Sequence, residues 1–395
     1  MTSAPAEQTL ILGNARIVLP DRVVEHGAVV IEDGRVAGIL ERESSQTESK
    51  AEIDLAGCTL FPGFIDAHIH GAIGVDVMNA NAGDLQQLSQ FLSSQGVCGW
   101  LPTLVPAADE NYAAVVRAIE QTMISQSSAE SRVLGLHYEG PFVNSAQCGA
   151  LHGEYFKTFS GPADIDALPI PEVRGAKKMI TLAPEIDGGL ELVRELNRRG
   201  WIISIGHTRA DVEMLDRVYE AGARHMTHFM NAMAPLHHRR AGPIGWGLSR
   251  DDVTCDIIAD GIHLDPLILR LLLKVKSPGR LALISDAIAA TGLGAGDYQI
   301  WGETISVSEG RTSNARGSIA GSVITMLDAL RLMLNLGVDE TDVARMASTN
   351  PARLLDLSHE CGSIAAGKRA DLVALDSSGN VKLTLVGGHV AFRGA

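Results

Sequence analysis

Histidines and acids recur where short apolar runs end, and their types suit holding a cation and moving a proton. His68 and His70 close the run FPGFIDAHIHG, Glu139 closes RVLGLHYEG, His207 follows WIISIG, and His228 ends HMTH. His263 follows CDIIADG, and Asp286 closes LALISDA. Side chains two apart on a strand share a face, so His68 and His70 could reach one ion. Neutral imidazole is the commonest transition-metal nitrogen donor, and Glu139 adds an anionic oxygen. Three protein ligands with an open position mark a catalytic rather than a structural site. Taken singly, each residue is equally well explained as a buried, hydrogen-bonded polar group, and H-x-H alone is a weak signal. Their shared position at run ends favours one constellation. Asp286 is a candidate proton carrier, or alternatively the N-cap of a helix.

Gathering residues this far apart requires a particular scaffold. From about residue 63 to 355, short apolar runs alternate with stretches of helical periodicity, such as DLQQLSQFLSSQ, GLELVRELNRRG and ADVEMLDRVYEAG. Repeated strand and helix imply a parallel sheet. About eight such units favour a closed (β/α)8 TIM-like barrel, whose C-terminal strand ends converge on one face. No G-x-G-x-x-G follows the first strand, which counts against a dinucleotide-binding sheet. Both chain ends differ from this centre. TLILGNARIVL, HGAVVIEDGRVAGIL and AEIDLAGCTLFPG alternate as strands, with a hairpin signal at Asp33-Gly34. Strand-like CGSIAAGKRADLVALD and VKLTLVGGHVAFRG close the chain. The expectation is an α/β protein with a small β-sandwich from residues 1–61 and 357–395 and a catalytic barrel from 62–356. Segment 41–51 is polar and is expected to be an exposed loop.

Composition bounds the partners. With 395 residues the chain can form a barrel of roughly 250 residues plus a small domain. A net charge of −14 argues against nucleic acid or an anionic membrane as a partner, so an anionic small substrate would need a local positive pocket. The five cysteines form no C-x-x-C pair, which suits a reducing cytoplasmic compartment. The start MTSAPAEQTL has no signal-peptide pattern, and no run of 18 apolar residues predicts a membrane span.

The motifs PGFIDAHIHG, LHYEGPF, IGHT, THFMNAM, IADGIH, LISDA and GSIAGS, in this order, resemble the N-acetylglucosamine-6-phosphate deacetylases of the amidohydrolase superfamily. The resemblance covers essentially the whole chain. PGFIDAHIHG marks only the superfamily, whereas LHYEGPF with THFMNAM is specific to the deacetylases. The resemblance implies that Glu139, His207 and His228 bind a primary metal and that Asp286 is the catalytic acid/base. It implies that His68 and His70 can hold a second ion, bridged by Glu139. Zinc is the first candidate, with iron, manganese or cobalt as alternatives. No strand-end lysine suited to carboxylation is apparent.

The same resemblance places Asn231, the Ala232 backbone and Arg239 around a sugar phosphate. It places His152, beside Leu151, at the reacting acetyl group, where it could stabilise an oxyanion. His263 and the 317–322 loop, with Ile319, Ala320 and Gly321, would line the sugar pocket. Without that analogy, HHRRAG is an ordinary solvated basic loop and GSIAGS an ordinary turn. A homodimer is implied, with the phosphate-binding loop reaching a neighbouring subunit.

The expected reaction is hydrolysis of an amide, a poor electrophile, by water, a poor nucleophile. A divalent metal lowers the pKa of bound water from about 15.7 to about 7 in favourable sites. Asp286 would take a proton from the water and return it to the leaving amine. Cys148, close to His152 in sequence, is most simply an inert small residue, although a soft sulfur there could ligate metal or confer oxidation sensitivity. Three competing readings stand: the epimeric N-acetylgalactosamine 6-phosphate as substrate, a cyclic-amide hydrolase or deaminase acting on an uncharged ring, and a non-catalytic binding barrel.

Overall fold

The structure is a computed structural model that describes residues 9–41 and 52–394. The expected loop over 41–51 and the segment before residue 9 lie outside it, apart from Glu41, which ends a strand.

Eight parallel strands form a nearly closed barrel: β1 (Phe64–Ile69), β2 (Val97–Leu104), β3 (Gly135–Glu139), β4 (Lys177–Leu182), β5 (Ile202–Ile205), β6 (His225–Met226), β7 (Thr254–Ile258) and β8 (Leu281–Ile284). Each pairs in parallel with the next from β1 to β8. The seam between β8 and β1 has no regular ladder. It is tied by the Asp286 amide donating to the His68 carbonyl at 2.9 Å and by the Ser285 hydroxyl donating to Asp66 at 2.5 Å. The strands are apolar almost throughout because both faces are covered, as in β2, whose VCGWLPTL is entirely buried. Intervening helices bury one face. In Gly189–Arg198, Leu190, Leu192, Val193 and Leu196 pack inward while Glu191 and Arg194 stay in solvent.

The chain ends form one eight-stranded, mainly antiparallel sheet. Its main order runs His389–Arg393, Val381–Val386, Leu372–Leu375, Thr59–Pro62, Thr9–Val18, Val23–Glu32, Arg35–Glu41, with Ile53–Asp54 beside Thr9–Val18. Leu372 opposite Pro62 and Leu375 opposite Thr59 join the two ends. The predicted hairpin is present: Asp33 (φ 48°) and Gly34 (φ 75°) connect Glu32 to Arg35. The sheet has its own core, including Leu12, Ile17, Leu60, Leu372, Leu383 and Leu385.

An unexpected element follows β8. Strands Gly296–Ile300, Glu303–Ser308 and Arg311–Ser313 form a three-stranded antiparallel sheet. Asp286 therefore caps no helix. The next helix, Met326–Asn335, is capped by Thr325, reciprocally with Asp328.

Candidate metal and active site

The barrel's C-terminal rim gathers the acids and imidazoles. His68 lies near the end of β1 and His70 just beyond it, Glu139 ends β3, and His207, His228 and Asp286 each fall two residues past β5, β6 and β8. His207 (φ 47°), His228 (φ 28°) and Asp286 (φ 50°) all turn through the left-handed region, which side chains rarely adopt. Such conformations persist only where the surroundings over-determine them, and they concentrate at functional sites.

Glu139 divides its carboxylate between two imidazole pairs. Its Oε1 lies 2.9 Å from His207 Nε2 and 2.9 Å from His228 Nε2, which are 3.2 Å apart. Its Oε2 lies 3.3 Å from His70 Nε2 and 3.7 Å from His68 Nε2, which are 3.1 Å apart. Both groups are buried and could each hold a metal ion. Ligand atoms about 2.0–2.2 Å from one ion must lie near one another at such spacings. The outer nitrogens fix two rings: His207 Nδ1 donates to the Gln147 carbonyl at 2.8 Å, and His70 Nδ1 to the Thr103 carbonyl at 3.1 Å. Each Nε2 then offers a lone pair inward, as a ligand must. The donor set fits a divalent transition metal.

Asp286 Oδ1 approaches the second group, 3.2 Å from His70 Nε2 and 3.5 Å from His68 Nε2. Burial opposes ionisation of Asp286, but His68 and His70 outweigh it and lower its pKa. Burial likewise opposes charge on Glu139, yet His68, His207 and His228 hold it well below the usual carboxylate range. Burial disfavours a charged His70, but Asp286 and Glu139 prevail and raise it to about 10. A field that draws protons onto imidazoles also draws a competing divalent cation.

The cluster forms the floor of a cavity of about 400 Å³, within the range of small-molecule sites. Leu151, Asn231, Ala232, His263, Ile319 and Gly321 line it. Asp260 orients His263, its Oδ2 lying 2.6 Å from Nδ1. Gly321 (φ 56°) is required: a Cβ there would lie 2.8 Å from the Asp286 carbonyl oxygen. Cys148 is in the wall but in neither ligand group.

His152, Arg239 and Ala320 are not among the lining residues. His152 turns to Glu154, with Nδ1 3.3 Å from its carboxylate. Ala320 is fully buried behind the wall. Arg239 is exposed on the turn closed by the Arg240 amide and the His237 carbonyl, and it lines a separate cavity with Arg209, His237 and Arg240. Its loop runs outward, with even Leu236 55% exposed.

Sequence reasoning missed Glu185 and Trp301. The Glu185 carboxylate accepts from Asn144 Nδ2, Thr208 Oγ1 and the Arg209 amide, bracing the loops that flank His207. Trp301 enters the cavity from the unexpected sheet. The signal for that sheet was present: alternating DYQIWGETISV with X-Gly pairs at Trp301-Gly302 and Glu309-Gly310.

Comparison with known proteins identifies the family. The family model described as "Amidohydrolase family" matches residues 59–391. The N-acetylglucosamine-6-phosphate deacetylase of Bacillus subtilis (strain 168) is 37% identical over 98% of this chain and 98% of its own. The N-acetylgalactosamine-6-phosphate deacetylase of Escherichia coli O157:H7 is 33% identical over 97% of this chain and 99% of its own. The crystal structure of the N-acetylglucosamine-6-phosphate deacetylase from Thermotoga maritima superposes with a TM-score of 0.87 at 33% identity, covering 98% of this chain and 100% of that one.

Proposed function

The chain belongs to the amidohydrolase family, and from that premise we propose that it hydrolyses N-acetylglucosamine 6-phosphate to glucosamine 6-phosphate and acetate. The observation that carries this reading is the Glu139 carboxylate facing two imidazole pairs, with Asp286 beside them at the floor of an open cavity.

Glu139, His207 and His228 would hold the primary ion, and His68, His70 and Glu139 a second. A divalent cation bound there makes water acidic and polarises the acetyl carbonyl. Zinc is the first choice, with iron, manganese and cobalt as alternatives. Asp286, kept ionised by its neighbours, accepts the proton of the attacking water and delivers it to the amine nitrogen as the C–N bond breaks. That delivery matters because an unprotonated amine is a very poor leaving group. Asn231 and the Ala232 backbone mark the end of the cavity assigned to the sugar phosphate, and His263 and the Ile319–Gly321 segment mark the sugar wall. Because Arg239 points away from its own cavity, we assign it to the phosphate of a neighbouring copy in a homodimer, consistent with an arginine that has no acidic partner among the described residues. His152 is assigned to the acetyl oxygen through movement of its loop. The catalytic unit is placed in residues 62–356. No helix among the described residues is long and apolar enough to cross a membrane, and we place the enzyme in the cytoplasm.

The test is acetate release from N-acetylglucosamine 6-phosphate by metal-stripped protein, with each metal returned singly. Activity is expected to vanish on stripping and to return with zinc, iron, manganese or cobalt. The epimeric galactosamine substrate and an unphosphorylated sugar run alongside. Equal turnover without the 6-phosphate overturns the phosphate assignment.

A further inference from the structure

Trp301 reaches the cavity wall by an unusual route. It and Gly302 form the two-residue turn between Gly296–Ile300 and Glu303–Ser308, where Ile300 pairs with Glu303. Both turn residues have positive φ, 54° and 78°. Such turns favour Asn, Asp and Gly, and a bulky aromatic there is a genuine outlier. Trp301 nevertheless projects into the cavity, edge-on to His70 with ring centroids 5.1 Å apart and planes at 81°. The turn is held in place. Ile300, Ile305 and Val307 pack with Ile288, Ala289 and Ala320. Arg316, just beyond the third strand, donates to the Ala150 carbonyl at 2.9 Å.

Trp301, Asn231 and Ala232 all line the cavity. Trp301 meets the cluster at His70, whose Nε2 is 3.2 Å from Asp286 Oδ1, whereas Asn231 and Ala232 follow His228 in the chain, and the Glu139 carboxylate lies between the His70 and His228 rings. An N-acyl amino sugar spans the reacting carbon, with the sugar on the nitrogen side and the acyl chain on the other. With the phosphate-bearing sugar on the His228 and Asn231 side of Glu139, the acyl chain is directed toward the His70 side and its indole. This rests on the proposed deacetylase reading and deepens it.

We propose that Trp301 sets acyl-chain specificity, its indole walling off the space behind the acetyl methyl so that longer N-acyl groups are excluded. The test compares kcat/KM for N-acetyl-, N-propionyl- and N-butyrylglucosamine 6-phosphate in the metal-loaded parent, Trp301→Gly, Trp301→Asn and Trp301→Phe. Glycine and asparagine both accept the left-handed backbone, so at least one fold-competent variant is expected, checked by melting temperature and metal content. The parent should prefer acetyl over propionyl by about tenfold or more, the scale on which an extra methylene is discriminated in a packed pocket. That preference should shrink to about threefold or less in Trp301→Gly or Trp301→Asn and be intermediate in Trp301→Phe. Normal acetate release with an unchanged acyl preference in the folded, metal-loaded variants overturns this proposal alone. Failure of the metal-loaded parent to release acetate overturns the substrate reading and this proposal with it.

Discussion

At the scale of single residues, the site is defined by backbone as much as by side chain. His207, His228 and Asp286 enter the rim through left-handed turns just past their strands, which swing each side chain over the barrel mouth. Asp286 is further pinned by its amide to the His68 carbonyl and by its carbonyl to the Ser322 amide at 2.7 Å. Because these backbone bonds do not depend on the carboxylate, Asp286→Asn should preserve the fold and the bound metal. Asparagine is nearly the same shape but cannot accept and return a proton. The variant is expected to keep parental metal content while losing about a hundredfold or more in kcat, the usual scale for a general acid/base. Metal analysis beside steady-state kinetics checks this, and near-normal turnover would remove Asp286 from its assigned role.

At the scale of elements, the unexpected three-stranded sheet supports the loop that carries Cys148, Ala150 and Leu151. Arg316 Nη2 donates to the Ala150 carbonyl, and its guanidinium lies 3.8 Å from Glu303. The Arg316 side chain is 47% exposed, so its loss should barely affect stability, but the loop would lose its charge-assisted tether. Arg316→Ala is therefore expected to raise KM by about three- to tenfold, the worth of about one hydrogen bond, with a melting temperature close to the parent. A large drop in melting temperature without a change in KM would make the contact structural only. The sheet also shows where sequence reading stops. β1 to β8 were legible because each is a short apolar run, as a strand buried on both faces must be, and most of them lead into His, Asp or Glu. His68 and His70 were legible through their spacing. Trp301 was not, because a tryptophan at a position needing positive φ contradicts local turn preference. Arg239 read from residue type alone as part of a solvated basic loop, and it is exposed; the resemblance pointed it at the phosphate instead, and only the path of the loop decides between the two.

At the scale of the whole molecule, the terminal sheet is fastened to the barrel rather than hung from it. Arg132, just before β3, lies 3.2 Å from Asp371, whose other carboxylate oxygen accepts from the Gly387 amide at 2.7 Å. Thr384 Oγ1 donates to the Ser93 carbonyl at 2.8 Å, and the Cys98 thiol of β2 reaches the Leu385 carbonyl at 3.3 Å. Gly63, linking the sheet to β1, packs so tightly that a Cβ would lie 2.2 Å from Cys98 Sγ. Gly63 leads directly into the strand that feeds His68 and His70, and the other ties hold the elements beside it, so loss of the sheet should disturb the metal site. Leu385, fully buried in the sheet core, tests the coupling without touching the cavity. Leu385→Ala should destabilise the protein by about 2–5 kcal/mol, from lost burial plus the cavity left behind. Under native conditions its kcat and KM should match the parent. In a urea series, activity and far-ultraviolet signal should fall together at a lower midpoint than in the parent, as one cooperative unit requires. If activity instead survives to the parental midpoint while only part of the secondary structure melts early, the barrel folds independently of the sheet that both chain ends build.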